Sequence, residues 1–253
     1  MTDLPRVIMT NDDGIDSPGL LLLAEELAAE FDVVVAAPAT NMSGAGTGIG
    51  RFDPETGVAL STKEMDGFTA HTIAGPPGLA VMAAALGAFG RPPDLVVSGI
   101  NAGINTGHSV IHSGTVGAAL TARTFGSRGI AISLAPSDPW QWETAVVVGV
   151  SAVGWMIANG GSPHVLNVNV PAVPIEQVAG TKWAELDEFG YFQVASTDFT
   201  DQRLQFAIRT ETAGADPESD TALCANNYVT VTPLSSIEPA PFPDIPASEI
   251  WSR

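Results

Sequence analysis

The chain has 253 residues, 45% of them hydrophobic, and a formal net charge of −18. That length fits one large domain or a domain with an arm, and the apolar content supports a substantial core. The only lysines are Lys63 and Lys182, so a surface this acidic excludes nucleic-acid polymers, which need clustered cations. No apolar stretch is long and unbroken enough to cross a membrane, which takes about 20 residues.

The first residues, MTDLPRVIMT, show no basic region followed by a long apolar one, and no signal peptide is expected. Arg6–Thr10 read as a short buried strand. Ser17-Pro18 then supplies a helix cap followed by proline at the first helical position. Leu20, Leu21, Leu23, Ala24, Leu27 and Ala28 form the apolar stripe of a helix expected to end near Phe31. Asp32–Ala37 is a second, β-branched strand, completing a right-handed parallel β–α–β unit. GVALST and FTAHTIAG around EMDG predict a hairpin. LAVMAAALGAF follows as a buried helix, and PDLVVSG as a third core strand. A glycine-rich loop, GINAGINTGHSVIHSG, leads to the helix TVGAALTARTF and the strand GIAISL. Gln141–Ala158 is a long apolar helix and HVLNVNVP another strand.

From about Val173 the helical patterns stop. The remainder reads as strand-like pieces, RLQFAIRTE and NNYVTVTPL, and a proline-rich tail, IEPAPFPDIPASEIW. The expected organisation is a single domain over residues 1–253: an α/β core with a mostly parallel sheet over about 1–172, and a β-rich extension over about 173–253. The tail is either irregular or packs on a neighbouring subunit. The single cysteine, Cys224, has no ligand-type spacing around it and cannot form an internal disulfide. It is expected to be a passive, partly buried side chain, and the protein to be cytoplasmic.

In an open parallel sheet, ligands bind beyond the carboxyl ends of the strands. The first strand ends in Asn11-Asp12-Asp13, the second runs through Pro38 into NMSGAG, and PDLVVS ends in GINAGIN. These loops carry Asp12, Asp13, Ser43, Asn101 and Asn105, all oxygen donors, with His108 and His112 the only nearby histidines. An all-oxygen set suits Mg²⁺ or Mn²⁺ better than zinc. A cation would also offset the repulsion between adjacent aspartates, which otherwise raises their affinity for protons. Asp-Asp-Gly is equally a common turn sequence, and its position directly after a buried strand is what favours the metal reading. The small residues of SGAG, Gly44 among them, and Ser113, Gly114 and Thr115 at a helix start can bring backbone N–H groups to an anion. An ordinary helix cap is the competing reading of the second run.

GAGTGIG does not fit a dinucleotide fingerprint: counting from Gly44 the sixth position is Ile49, and from Gly46 it is Arg51. Neither a GK[ST] phosphate loop nor a GxSxG elbow occurs. A cation beside a phosphate cradle implies metal-assisted hydrolysis of a phosphate monoester, in which the ion neutralises phosphoryl oxygens and activates water. Asp12 or Asp13 can instead serve as base or nucleophile.

VIMTNDDGIDSPG, APATNMSGAG and PDLVVSGINAGINTG with IHSGTVGAAL, in that order, together resemble the SurE family of stationary-phase survival proteins, with a weaker match in DTALCANNYVTVTPL. The resemblance covers most of the chain. It implies a Rossmann-like core and a dimer or tetramer with exchanged C-terminal segments. It implies a divalent-metal-dependent phosphatase for nucleoside 5′-monophosphates, often 3′-monophosphates too, and sometimes short polyphosphate. By motif, Asp12, Asp13, Ser43 and Asn101 would hold one Mg²⁺ or Mn²⁺ per subunit. Asn11, Gly44, Asn105 and Ser113–Thr115 would line the phosphate site.

The chain departs from the family pattern around this site. It has Ala39-Thr40 in place of Asp-Arg, His112 in place of Tyr, AGPPGLA in place of Gly-Thr-Pro-x-Asp-Cys, and Thr121-Ala122 in place of Glu-Gly. His112 either replaces an aromatic ring passively or meets phosphate as a cation or general acid. With these changes, a non-catalytic nucleotide- or metal-binding homologue, or a phosphatase for another small ester, stands as the alternative function.

Overall fold

The computed structural model describes residues 4–159, 165–200, 203–210 and 214–235. The first β–α–β unit comprises β1 (Arg6–Thr10), α1 (Pro18–Leu27) and β2 (Asp32–Pro38). Ser17 caps α1 by accepting from the Leu20 N–H at 3.4 Å, and Pro18 occupies the first turn. The helix closes at Leu27, before Phe31, because turn-type bonds from Glu30 and Phe31 to the Leu27 carbonyl take over there.

The predicted hairpin is β3 (Leu60–Glu64) with β4 (Thr69–Ile73), paired antiparallel. Then come α2 (Pro77–Ala85), β5 (Leu95–Ala102), a 3₁₀ turn at Gly107–His112, α3 (Gly114–Thr124), β6 (Arg128–Leu134), α4 (Trp142–Ala158) and β7 (Val165–Val170). A further 3₁₀ turn (Ile175–Gln177), β8 (Gly180–Trp183), β9 (Phe192–Thr200), β10 (Arg203–Thr210), α5 (Asp220–Ala225) and β11 (Tyr228–Leu234) complete the order.

One nine-stranded sheet runs β3-β4-β2-β1-β5-β6-β7-β11-β8, and among the described residues β9 and β10 pair only with each other. All pairings from β4 to β7 are parallel. The strands alternate between two cores. Val7 and Met9 join Leu20, Leu23, Val153 and Met156 under α1 and α4, whereas Ile8 joins Val81, Ala118 and Ala122 under α2 and α3. This is the expected α/β sandwich with helices on both faces.

One expectation for the last third needs correction. Helices do not stop at Val173: α5 is a six-residue helix capped by Ser219, too short to show a helical period. The β-rich extension completes the sheet, since β11 pairs antiparallel with β7 and parallel with β8. Cys224 lies in α5 and is buried, and that burial pushes its thiol pKa up to about 12, which makes it inert. The proline-rich tail lies outside the described residues.

Candidate active site

The strand order reverses at β1: the chain moves to β2 and β4 on one side and to β5 and β6 on the other. The crevice beyond the carboxyl ends of β1 and β5 is therefore the sheet's switch point, where open α/β sheets place their ligands. Asp12 and Asp13 leave β1 there, and Asn101 lies near the end of β5.

The turn after β1 is built by Asn11, which is fully buried. Its Nδ2 donates to the Gly14 carbonyl at 3.1 Å and to Ser17 Oγ at 2.6 Å, and its Oδ1 accepts from the Gly14 N–H at 3.1 Å. Both ends of the Asn11 amide thus join the turn to the cap of α1. Gly14 has φ +109°, a conformation that favours glycine.

Asp12 is 3% exposed, and its Oδ1 accepts from Thr115 Oγ1 at 2.5 Å. Its other oxygen lies against the start of α3, where a Cβ added to Gly114 would stand 2.7 Å from Asp12 Oδ2. Glycine at 114 thus lets the carboxylate approach the N-terminal end of a helix, where the macrodipole favours negative charge. Thr115, expected beside a phosphate, orients Asp12. Ser113 acts as the N-cap of α3, its hydroxyl accepting from the Val116 N–H at 3.1 Å.

Asp13 is half-buried and reaches the adjacent strand, where Oδ2 accepts from the Ala102 N–H at 3.1 Å. Burial raises its pKa above the ordinary carboxylate value, and the Asp12 charge adds to that rise while the Ala102 bond opposes it. Among the described residues no arginine or lysine pairs with either aspartate.

The loop after β2 is tied to this pair. The Met42 N–H donates to the Asp12 carbonyl at 2.6 Å, Asn41 Nδ2 approaches Asp13 Oδ1 at 3.5 Å, and Asn41 Oδ1 accepts from the Ser43 N–H at 2.9 Å. Sequence reasoning passed over Asn41, although an asparagine two residues before a glycine-rich run is an ordinary turn signal. Ser43 and Gly44 are exposed, and Gly44 has φ +87° with open space around its Cα. Gly46 donates to the His112 carbonyl at 3.2 Å, and a Cβ on Gly117 would stand 2.0 Å from the Gly46 carbonyl. This loop and the start of α3 therefore pack directly together. His112 itself is exposed at the end of the 3₁₀ turn.

The donor set suits a hard divalent cation. Asn101 Nδ2 donates to the Gly103 carbonyl at 2.6 Å, which leaves Oδ1 as the free end of that amide. Among the described residues no group of three or more His, Cys, Asp or Glu gathers anywhere. A cation held by Asp12 and Asp13 can therefore complete its shell only with neutral oxygens and water, as Mg²⁺ commonly does.

The departures from the family pattern sit at different depths. Ala39 and Thr40 are exposed, whereas Thr121 is buried in α3 with its hydroxyl on the Gly117 carbonyl at 2.7 Å. A Cβ on Gly78 of α2 would lie 3.4 Å from that hydroxyl, so position 121 belongs to the α2–α3 seam.

Fold and site together define an α/β protein with two unpaired carboxylates at the switch point of a mostly parallel sheet. The family model described as Survival protein SurE matches residues 7–192. The chain is 36% identical to "5′-nucleotidase SurE" of Chloroflexus aggregans over 90% of this chain and 92% of that protein. It is 38% identical to the protein of the same name from Legionella pneumophila (strain Philadelphia 1), over 72% of this chain and 70% of that one. The crystal structure of the SurE protein from Aquifex aeolicus superposes with a TM-score of 0.77 at 30% identity, covering 91% of this chain and 93% of that one. The chain belongs to the SurE family.

Proposed function

We propose that this protein is a divalent-metal-dependent phosphatase that hydrolyses nucleoside 5′-monophosphates, with 3′-monophosphates as further substrates. The observation that carries this reading is the Asp12–Asp13 pair: two carboxylates at the switch point, one of them buried, with no cationic side chain beside them among the described residues. The relatives named 5′-nucleotidase support the choice of substrate.

In this reading Asp12, Asp13, Ser43 and Asn101 hold one Mg²⁺ or Mn²⁺ per subunit. Such an ion neutralises phosphoryl oxygens and lowers the pKa of water. The chain's own groups supply orientation and charge. Thr115 keeps one Asp12 oxygen engaged, and the other lies beside Gly114 at the start of α3. In the Ser113–Thr115 run the Ser113 N–H already donates to the Val110 carbonyl at 3.1 Å, so the amides of Gly114 and Thr115 at the start of α3, with the exposed amide of Gly44, are the ones suited to phosphoryl oxygens that become more negative as the ester bond breaks. Asn105 uses one hydrogen of its Nδ2 on Ser133 Oγ at 2.8 Å, and the second is the one this reading assigns to the phosphoryl group. A phosphatase for a different small ester is the second reading, favoured by Ala39, Thr40 and an exposed His112 around the cleft.

The chain acts as a single domain. The hairpin β9–β10, which among the described residues pairs only with itself, is an arm toward a second subunit in a dimer or tetramer, since a lone hairpin is marginal in water. Among the described residues no helix is long and apolar enough to cross a membrane, and the cytoplasm is the proposed location.

The test is phosphate release from a panel of nucleoside monophosphates and other phosphate esters with Mg²⁺ or Mn²⁺. The nucleotides should lead the panel, and EDTA should abolish turnover. Activity that survives EDTA contradicts the metal assignment.

A further inference from the structure

β7 is buried at every position, yet two of its six residues are asparagines. Val165 packs in the α3-side core while Leu166, Val168 and Val170 pack in the opposite one, which places Asn167 and Asn169 on the α3 side. A strand covered on both faces normally carries apolar side chains throughout, and a buried amide without partners is destabilising.

Both amides converge on one residue, Asn105. Asn169 Oδ1 accepts from the Asn105 N–H at 2.8 Å, and Asn169 Nδ2 donates to the Asn105 carbonyl at 2.9 Å. Asn167 Nδ2 donates to the same carbonyl at 2.8 Å. Asn167 Oδ1 is buried without a partner among the described residues, so what its amide contributes is that N–H. A loop residue is thus gripped by both of its backbone groups from a rigid strand.

The register shows where this grip acts. Asn101 on β5 pairs with Ser133 on β6, and Ser133 pairs with Asn169 on β7. These residues form one row across the sheet, with strands about 4.8 Å apart. Asn105 lies over that row, its Nδ2 on Ser133, one strand away from Asn101.

We propose that Asn167 and Asn169 are positioning residues. They fix the backbone of Asn105 so that its side-chain amide is presented to the substrate's phosphoryl group, and they do not touch the substrate themselves. This inference rests on the phosphatase reading of the site. Small displacements of an orienting group are costly in catalysis, about 10²-fold for 1 Å. Asn169→Ala should therefore lower kcat by roughly 10²-fold with KM changed much less.

The deciding experiment is a double-variant comparison of Asn169→Ala, Asn105→Ala and the two combined, in the full-length enzyme with Mn²⁺ and a nucleoside 5′-monophosphate. If Asn169 acts through Asn105, the double variant is no slower than Asn105→Ala alone. Losses that multiply, as for independent sites, overturn the proposal, and so does an Asn169→Ala enzyme of full activity. If Asn169→Ala does not fold, Asn169→Asp, of the same shape but without the donor to the Asn105 carbonyl, and Asn167→Val are judged by the same rule. A wild-type protein that turns over no ester sinks the phosphatase reading instead. Hydrogen exchange across residues 103–107 then decides the grip on Asn105. Faster exchange in the Asn169 variant than in wild type upholds it, and equal exchange overturns it.

Discussion

The two ends of β1 solve opposite electrostatic problems. At the Arg6 end, charges are paired within the chain. Arg6 Nη1 pairs with Asp32 at 2.8 Å, Arg91 pairs with Asp94 at 2.8 Å, and the Arg6 N–H donates to Asp94 Oδ2 at 2.7 Å. Arg128 closes the same edge by donating to the Met156 carbonyl at 2.6 Å. At the other end, four residues beyond Arg6, the strand finishes and two adjacent aspartates meet hydroxyl and amide donors only. The carboxyl pKa values move in opposite directions. Asp94 is held below the usual range, chiefly by the Arg6 N–H and further by Arg91, whereas burial and its neighbour raise Asp13. One edge is neutralised by the chain itself, and at the other two carboxylates have no cationic partner among the described residues.

Substitutions at the two ends should therefore separate activity from stability. The largest effect is expected at the ligand end: Asp12→Asn or Asp13→Asn should cut metal-dependent phosphate release by about 10³-fold or more. Calorimetry should find Asp13→Asn no less stable than wild type, because an acid already disfavoured in its charged form is removed. A large loss of stability there would erase the contrast.

Gly114→Ala comes next. Its new Cβ would press on the Asp12 carboxylate, and kcat/KM should fall by about 10²-fold while the protein still folds. At the closed end the pattern should reverse. Arg6→Ala removes a largely buried guanidinium that also donates to the Phe89 carbonyl, and should cost about 2 kcal/mol in denaturant unfolding. Its kcat at saturating metal should stay within about 2-fold of wild type.

The smallest expected effect concerns Asp220, a third and different environment. It is fully buried in α5, where it accepts from the amides of Gly107, Asp187 and Thr221. Burial raises its pKa against those bonds, with the Asp187 charge adding to the rise. A raised carboxyl binds its proton more tightly in the native state, so its stabilising contribution is full below the unfolded pKa of about 3.9 and is lost as pH rises through the folded value. The stability of wild type relative to Asp220→Asn should therefore increase as pH falls from 7 toward 4. A difference that shrinks over that interval would contradict the raised pKa.

Much of this contrast was legible in the sequence, and the reasons are local. Strands buried on both faces read as unbroken apolar runs, so RVIMT, DVVVAA and GIAISL stood out. Ser17-Pro18 fixed the start of α1 by capping chemistry alone. Helix α5 was missed because six residues carry no period, and β11 could not be placed in the main sheet because neighbour order depends on the crossovers between strands.

In the site, Asp12 and Asp13 could be placed at the sheet edge because they closely follow β1. The roles of the site residues could not be read, because these are set by contacts far apart in sequence. Thr115 reaches Asp12 across 103 positions, and Asn169 reaches Asn105 across 64. Asn11, which the resemblance implies at the phosphate site, braces the turn that carries the two aspartates through contacts the sequence does not show. For Asn167 and Asn169 the signal was present as polar residues alternating within an apolar strand, and their burial is what gives it meaning.

The most direct test of the unpaired edge is equilibrium binding of Mn²⁺ in the absence of any phosphate ester, measured by calorimetry or by the loss of the free-ion electron paramagnetic resonance signal. Wild type should bind one ion per chain, and Asp12→Asn and Asp13→Asn should lose that binding while remaining folded. Undiminished binding by both variants would mean that the paired aspartates are not the cation site, and the account would fail there.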